Sequence, residues 1–200
     1  RPKQLEMRSP EIQKKEDALK DIRSRHFNAK TYATKNTYRK QDEQLRNEIA
    51  NLLISEGWHD DVAKKLAAWD PYNPNDPASF FDPEWMFQNA EGFDVVIGNP
   101  PYVQIQRFSG KQEQKDWQQL KYATYDSMGD IYCLFYERGV ALLKTKGILV
   151  FISSNKWMRA NYGQKTRKFF IENTNPFLLV DFDACKVFEG VTINTCVIGL

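Results

Sequence analysis

The residues best suited to chemistry in this chain form a short loop, Asn99-Pro100-Pro101-Tyr102. The Asn99 side chain provides a carbonyl acceptor, and the two prolines fix φ and remove two backbone donors. The Asn99 oxygen and the Pro100 carbonyl can therefore accept both hydrogens of an exocyclic amine and turn its lone pair towards an electrophile. The ring of Tyr102 offers a stacking face, worth about 1–3 kcal/mol for each base. Together these features predict a pocket for a planar heteroaromatic amine.

The segment before this loop predicts a buried strand. Val95, Val96 and Ile97 are β-branched and lie in a continuous apolar run, which is typical of a strand covered on both faces, as in a parallel sheet. Gly98 permits a sharp turn or a close approach. Ligands of open α/β sheets bind beyond the carboxyl ends of the strands, where this loop would lie. The alternative is a proline-rich turn with a capping asparagine and a packed tyrosine.

The loop and its surroundings resemble a family of enzymes. Residues 99–102 look like motif IV of the amino-group (N6-adenine) DNA methyltransferases, and the wider sequence resembles the methylase region of Type IIG restriction–modification enzymes. The resemblance covers about residues 80–200, in this order: residues 81–87 and 92–103, 130–137 (motif V), 147–152 (motif VI) and 187–191 (motif VIII). The tetrapeptide alone is shared with protein-glutamine and some RNA methyltransferases, whereas the ordered set is more specific.

The resemblance implies roles for individual residues. Asn99, Pro100, Pro101 and Tyr102 would form the catalytic loop, with Asn99 and Pro100 holding the target amine and Tyr102 stacking on the base. Phe188 would contact the other side of that base. The implied substrate is double-stranded DNA with a flipped adenine, because the amine is otherwise paired inside the duplex. S-adenosylmethionine would donate the methyl group directly, with proximity and orientation supplying most of the catalysis and no cysteine nucleophile.

Composition is typical of a soluble protein, with 27% charged residues and a mean hydropathy of −0.62. No apolar stretch approaches the roughly 20 residues of a membrane span. Cys133, Cys185 and Cys196 lack metal-type spacing, so we expect no metal site and free thiols in a bacterial or archaeal cytoplasm. The net charge of +2 shows no clear basic face, and the main DNA-binding surface is expected outside this chain.

The chain is predicted to be α/β, a partial Rossmann-like methyltransferase sheet preceded by an α-helical hairpin insertion. Residues 1–70 would form the insertion, with helices over 10–28, 38–56 and about 60–69. Its charges are typical of a solvated face; nucleic-acid contact is the alternative for a set of basic residues, Arg23, Arg25, Lys30, Lys35, Arg39 and Lys40. Residues 71–92 would form a Pro-rich connecting segment, with Trp85, Met86 and Phe87 in the core.

Residues 93–200 would form the C-terminal part of the catalytic domain. Helices are predicted over 112–122, 130–145 and 162–172, and further strands over 147–153, 177–182 and 195–200. The alternation of strands and helices is typical of a parallel sheet. Asp130 is a candidate N-cap and Phe135 a candidate core residue of the second helix. Residues 154–157 follow a strand and would line the DNA path, with structural capping by Asn155 as the alternative.

The glycine-rich loop that would receive S-adenosylmethionine, and the acidic residue that would hold its ribose, are not found. We therefore expect an excised piece of a longer protein that carries the target-base pocket, is inactive in isolation, binds the cofactor weakly or not at all, and self-associates through exposed sheet edges. Two other functions stay open. One is methylation of a protein glutamine or of RNA, and the other is a non-catalytic helical interaction module.

Overall fold

The computed structural model describes residues 9–75, 78–183, 185, 187 and 194–200. The chain divides into two compact units, Arg1–Ala90 and Glu91–Leu200. The first unit is helical, and the second contains a four-stranded sheet with helices. The predicted α/β class is therefore confirmed. No described helix combines the length and the apolar composition needed to cross a membrane.

The first unit is built on a helical hairpin. Helices α1 (Pro10–Asn28) and α2 (Tyr32–Ser55) pack on each other, and they are followed by α3 (Asp60–Ala68) and the short α4 (Pro83–Phe87). The core is a cluster of buried apolar side chains from all four helices, including Ile12, Leu19, Ile49, Leu53, Ala63 and Trp85. Trp85 is buried as predicted, whereas Phe87 is 54% exposed, so its predicted place in the core is wrong.

Side-chain caps explain where the two long helices begin. The Ser9 hydroxyl accepts a hydrogen bond from Ile12 N at 3.3 Å, which satisfies one of the free donors at the start of α1. The Thr31 hydroxyl does the same for Thr34 N at 3.2 Å. The second helix therefore begins at Tyr32, six residues before the predicted start, because its polar first turns are capped although they carry no apolar repeat.

A buried charge cluster ties the first unit together. The Asp42 carboxylate, with no exposed surface, accepts hydrogen bonds from Arg23 Nε at 2.9 Å, Arg46 Nε at 2.7 Å and Tyr72 Oη at 3.2 Å. Arg46 also donates to the Ala67 carbonyl. Two guanidinium groups thus share one carboxylate out of contact with water, where removal of one partner leaves an uncompensated charge.

The second unit contains strands β1 (Phe93–Gly98), β2 (Leu143–Ser154), β3 (Leu178–Asp181) and β4 (Thr195–Gly199), in the order β1-β2-β4-β3. β1 and β2 are parallel, and β4 runs antiparallel to both of its neighbours, β2 and β3. The sheet is therefore mixed, which corrects the prediction of a parallel sheet. Helices α5 (Gln112–Gln119), α6 (Tyr132–Ala141) and α7 (Gly163–Asn173) complete the unit.

The core of the second unit lies between β2, β4 and the helices α6 and α7. Its buried members include Tyr132, Tyr136, Leu149, Phe151, Trp157 and Phe170. The prediction that β1 is covered on both faces is wrong for the described residues, because Val95 is 54% exposed and Ile97 is 79% exposed, while Val96 packs against the core. Side chains of a strand alternate between two faces, and one face of β1 is open here.

Three predictions about α6 need correction. The helix ends at Ala141, because the chain from Leu143 onwards pairs with β1 instead. Asp130 is not its N-cap; that position is Ile131, and the Asp130 carboxylate is bound by another side chain, described below. Phe135 is 44% exposed and so is not a core residue.

Candidate active site

The loop of residues 99–102 lies at the carboxyl end of β1, beside the carboxyl half of β2. Gly98 is in register with Phe151 of β2. A Cβ atom at position 98 would lie 3.1 Å from the Phe151 ring, so the glycine allows the two strands to come this close without displacing the ring. The chain therefore leaves β1 directly over the edge of the sheet where open α/β folds bind ligands.

Asn99 and Pro100 present free acceptors. The Asn99 side chain is exposed, and within the described part of the chain its amide makes no hydrogen bond. Pro100 is buried, and no described backbone N–H donates to its carbonyl. The two acceptors that the sequence singles out are adjacent and unpaired, as a site that binds an amine from outside the chain requires.

Tyr102 contacts β2 through its hydroxyl and Tyr132 of α6 through its ring. Its Oη lies 3.5 Å from the Ile152 carbonyl of β2, at the outer limit of a hydrogen bond. Its ring stands at 88° to the ring of Tyr132, with 6.3 Å between centroids, which is a favourable edge-to-face arrangement. Burial, followed by the nearby Cys196, raises the pKa of Tyr102, so its hydroxyl stays neutral at physiological pH.

The chain after Tyr102 is fixed to the segment before α6. Ile131 N donates to the Val103 carbonyl at 2.8 Å, and Ile105 N donates to the Gly129 carbonyl at 2.9 Å. These two bonds flank an antiparallel bridge between Gln104 and Asp130. Because both bonds join backbone atoms, the end of the loop has one defined position relative to α6.

A chain of hydroxyl groups supports the tyrosine that packs on Tyr102. Tyr162 Oη donates to Asp130 Oδ2 at 2.9 Å and lies 2.9 Å from Tyr132 Oη. Since the single proton of Tyr162 is directed at the carboxylate, Tyr132 donates to Tyr162. Tyr132 is fully buried, and burial is the main cause that raises the pKa of both phenols. The order is therefore Tyr132, Tyr162, Asp130.

Sequence reasoning missed Tyr132 and Tyr162 as parts of the site. They are 30 residues apart, and no local pattern pairs them. The motif V resemblance includes Tyr132 but implies no role for it. The one usable signal was the polarity of the two side chains, because a buried phenol needs a hydrogen-bond partner.

Residues 154–157 have mainly structural roles. The buried Asn155 donates from its amide to Asp181 Oδ1 at 2.8 Å and so joins the ends of β2 and β3. This hydrogen bond is the first cause that lowers the pKa of Asp181. The Ser154 hydroxyl accepts from Lys156 N at 3.3 Å, and Trp157 is buried in the core. Only Lys156 is exposed, so the structural alternative fits this segment better than a DNA path does.

Phe188, the predicted second base contact, lies outside the described residues. In the part of the chain that the structure describes, no group of His, Cys, Asp or Glu side chains is arranged to hold a metal ion. The same part contains no glycine-rich turn at the end of a strand, so we assign no residue to the methionine end of S-adenosylmethionine.

Comparison with known proteins gives a consistent result. The sequence model of one family, described as Eco57I restriction-modification methylase, matches residues 7–188. The chain is 34% identical over 109 residues to the type II restriction enzyme and methyltransferase RM.Eco57I of Escherichia coli, which is 54% of this chain and 11% of the relative. It is 33% identical over 108 residues to the type II methyltransferase M.BstVI of Geobacillus stearothermophilus, covering 53% and 19%.

A third relative is the type II methyltransferase M.PaeR7I of Pseudomonas aeruginosa, with 34% identity over 111 residues, 55% of this chain and 19% of the relative. The chain thus spans between a tenth and a fifth of the length of these three proteins. All three are named as methyltransferases of type II, and one of them is also named as a restriction enzyme.

Proposed function

This chain belongs to the Eco57I restriction-modification methylase family, and we propose that it supplies the target-base pocket of an adenine-specific DNA methyltransferase. The whole enzyme would transfer a methyl group from S-adenosylmethionine to N6 of an adenine in double-stranded DNA, within a restriction–modification system. Its location would be the cytoplasm of a bacterium or archaeon.

The observation that carries the proposal is the pair of free acceptors at the end of β1. The Asn99 amide oxygen and the Pro100 carbonyl are unpaired among the described residues and adjacent in the chain. An adenine amine has two N–H donors, so the two acceptors can hold both. Hydrogen bonds that hold both N–H groups orient the nitrogen lone pair out of the plane of the base and towards the methyl donor.

Tyr102 provides the stacking surface. Its hydroxyl lies near the Ile152 carbonyl and its ring packs at right angles to the ring of Tyr132, and these contacts favour one orientation of the ring before the base arrives. A flipped adenine loses its stacking in the duplex, and an aromatic ring in a fixed position replaces part of that loss. Phe188 is proposed as the second contact on the resemblance of the motifs alone.

The test is Asn99→Ala in the full-length protein that contains this chain. Methyl transfer to duplex DNA should fall by about a hundredfold or more, in line with the loss of one preorganised hydrogen bond at a reacting group. The measurement follows a labelled methyl group from S-adenosylmethionine into DNA and identifies the modified nucleoside. Asn175→Ala is the matched control, because Asn175 is also exposed and lies in the same unit.

Two results would contradict the proposal. One is a wild-type rate of transfer in the Asn99→Ala variant. The other is a wild-type protein that methylates RNA or a protein glutamine in preference to DNA, since either substrate also presents a planar nitrogen group to the same acceptors.

A further inference from the structure

A stretch of 20 residues, 22–41, carries six basic side chains and no acidic one. The structure places this stretch at the turn of the α1–α2 hairpin, from the last turns of α1 to the first turns of α2. The preceding carboxylate is Asp21 and the next is Asp42, which is fully buried. The end of the hairpin is therefore positively charged although the whole chain is almost neutral.

The structure separates the six basic residues into two groups. Arg23 is mostly buried and bound to Asp42, and Arg25 pairs with Asp21 at 2.8 Å. Both are thereby bound to a carboxylate within the unit. The other four form no salt bridge within the described residues, and they define what we call the hairpin-tip cluster: Lys30, Lys35, Arg39 and Lys40.

Arg39 is held in position by His26 and Tyr72. Its Nε donates to His26 Nε2 at 3.3 Å, and its guanidinium lies 5.3 Å from the centre of the Tyr72 ring. The Tyr72 ring also contacts His26, with 4.2 Å between centroids, and its hydroxyl is fixed by Asp42. No described residue accepts a hydrogen bond from the outer N–H groups of Arg39. A guanidinium presents these donors in a geometry that matches a phosphate group.

Two positive charges of the hairpin-tip cluster affect the pKa of the neighbouring His26. Burial is the first cause that lowers the pKa of His26, and the positive charges of Arg39 and Lys35 lower it further. Lys35 and Arg39 are four residues apart and therefore lie on the same face of α2. Two large aromatic side chains of the same stretch are also exposed, Phe27 by 84% and Tyr32 by 81%.

We propose that the hairpin-tip cluster binds the phosphate backbone of double-stranded DNA. Lys30, Lys35, Arg39 and Lys40 contact phosphates, while Tyr32 and Phe27 contact the sugar-phosphate surface beside them. Basic side chains and tyrosine hydroxyls are common phosphate ligands, and such contacts position a protein on the duplex without reading its sequence. The choice of DNA rests on the proposed function; the location and the chemistry rest on the hairpin itself.

The experiment compares two triple variants of the full-length protein, each of which removes three positive charges from the first unit. The tip variant is Lys30→Gln/Lys35→Gln/Arg39→Gln. The control is Lys14→Gln/Lys20→Gln/Lys65→Gln, all at exposed positions away from the hairpin tip. Binding to a fluorescent duplex of arbitrary sequence is measured by anisotropy at several salt concentrations.

The tip variant should bind more weakly. The slope of log K against log salt is negative, and its magnitude should decrease by about 0.9 for each phosphate that the protein no longer neutralises, or about 2.7 for three phosphates. The control should keep the wild-type slope. Equal effects of the two triple variants would overturn the proposal, and so would a wild-type slope in the tip variant. A weakening confined to single-stranded RNA or to anionic phospholipid vesicles would also overturn it.

The result is separable from the proposed function. A wild-type protein that binds duplex through the tip but transfers no methyl group contradicts the proposed function and leaves the binding surface in place. A protein that methylates DNA and binds duplex equally well with and without the tip charges contradicts the binding surface alone.

Discussion

Replacing Tyr162 by phenylalanine tests whether the hydroxyl chain behind Tyr102 contributes to stability. The change removes one oxygen and two hydrogen bonds, those to Asp130 and from Tyr132, each 2.9 Å long. Tyr132 has no exposed surface, so its hydroxyl would be left without the Tyr162 acceptor and without access to water. Leaving a buried donor unpaired costs about 1–3 kcal/mol. The Asp130 carboxylate is half-buried and can be partly rehydrated, which adds about 1 kcal/mol.

We therefore expect the free energy of unfolding of the Tyr162→Phe variant to fall by about 2–4 kcal/mol. Urea denaturation followed by circular dichroism and tryptophan fluorescence measures it, because the buried Trp157 packs in the same cluster as Tyr132. Tyr125→Phe is the control. The Tyr125 hydroxyl accepts an exposed hydrogen bond from Gln118, so its removal should cost about 0.5 kcal/mol or less.

The double variant Tyr132→Phe/Tyr162→Phe is the sharpest part of this test. It removes the unpaired hydroxyl along with its partner, and replacing both members of a buried pair by apolar groups of the same shape can be nearly neutral. The double variant should therefore be more stable than Tyr162→Phe alone. The reasoning would be refuted if the double variant lost as much free energy of unfolding as the two single variants together, because losses at independent sites add.

Two further predictions concern buried groups elsewhere. Asp42→Ala should lower the free energy of unfolding by about 3–5 kcal/mol in a urea titration, because it leaves two guanidinium groups buried without a counterion. The control is Asp60→Ala at an exposed position, which should cost about 1 kcal/mol or less. Similar losses in both variants would contradict the role of the buried cluster. A thiol reagent at pH 8 should modify the exposed Cys185 quickly and leave Cys133 and Cys196 unmodified in the native protein, because burial raises the pKa of both thiols and that of Cys133 to about 11. The thiolate is the reactive form and becomes abundant only as the pH rises towards the raised pKa, so fast modification of all three at pH 8 would contradict this.

Predictions from the sequence succeeded where the determining interactions are local. Helix α1 spans the predicted residues 10–28 because its start depends on its N-cap, Ser9, and on its own first residue, Pro10. Helix α2 shows the limit of apolar periodicity, since its first turns are polar. A capping threonine at position 31 was the local signal that would have placed its start correctly.

Long-range pairing could not be read in the same way. The position of β4 between β2 and β3 depends on backbone pairing that places Val197 opposite Ile152 on one side and opposite Val180 on the other. An apolar run of five residues is compatible with a parallel or an antiparallel neighbour, so its direction has no local signature. Long-range pairing also explains the early end of α6. Leu143 pairs with Phe93 of β1 and so belongs to β2, although its own sequence context is equally suited to a helix.

In the candidate site, too, the sequence predicts the residues whose chemistry is local and misses the contacts between distant residues. Asn99 and Pro100 could be singled out because their chemistry depends on adjacent residues: an amide, a carbonyl and two prolines in sequence. The position of Tyr102 depends on Tyr132, and Tyr132 depends on Tyr162, at sequence separations of 30 residues in each step. A substitution at Tyr162 can therefore alter a loop 60 residues earlier in the chain without touching it. For this reason the double variant at positions 132 and 162 is more informative about the pocket than any further substitution within the loop itself.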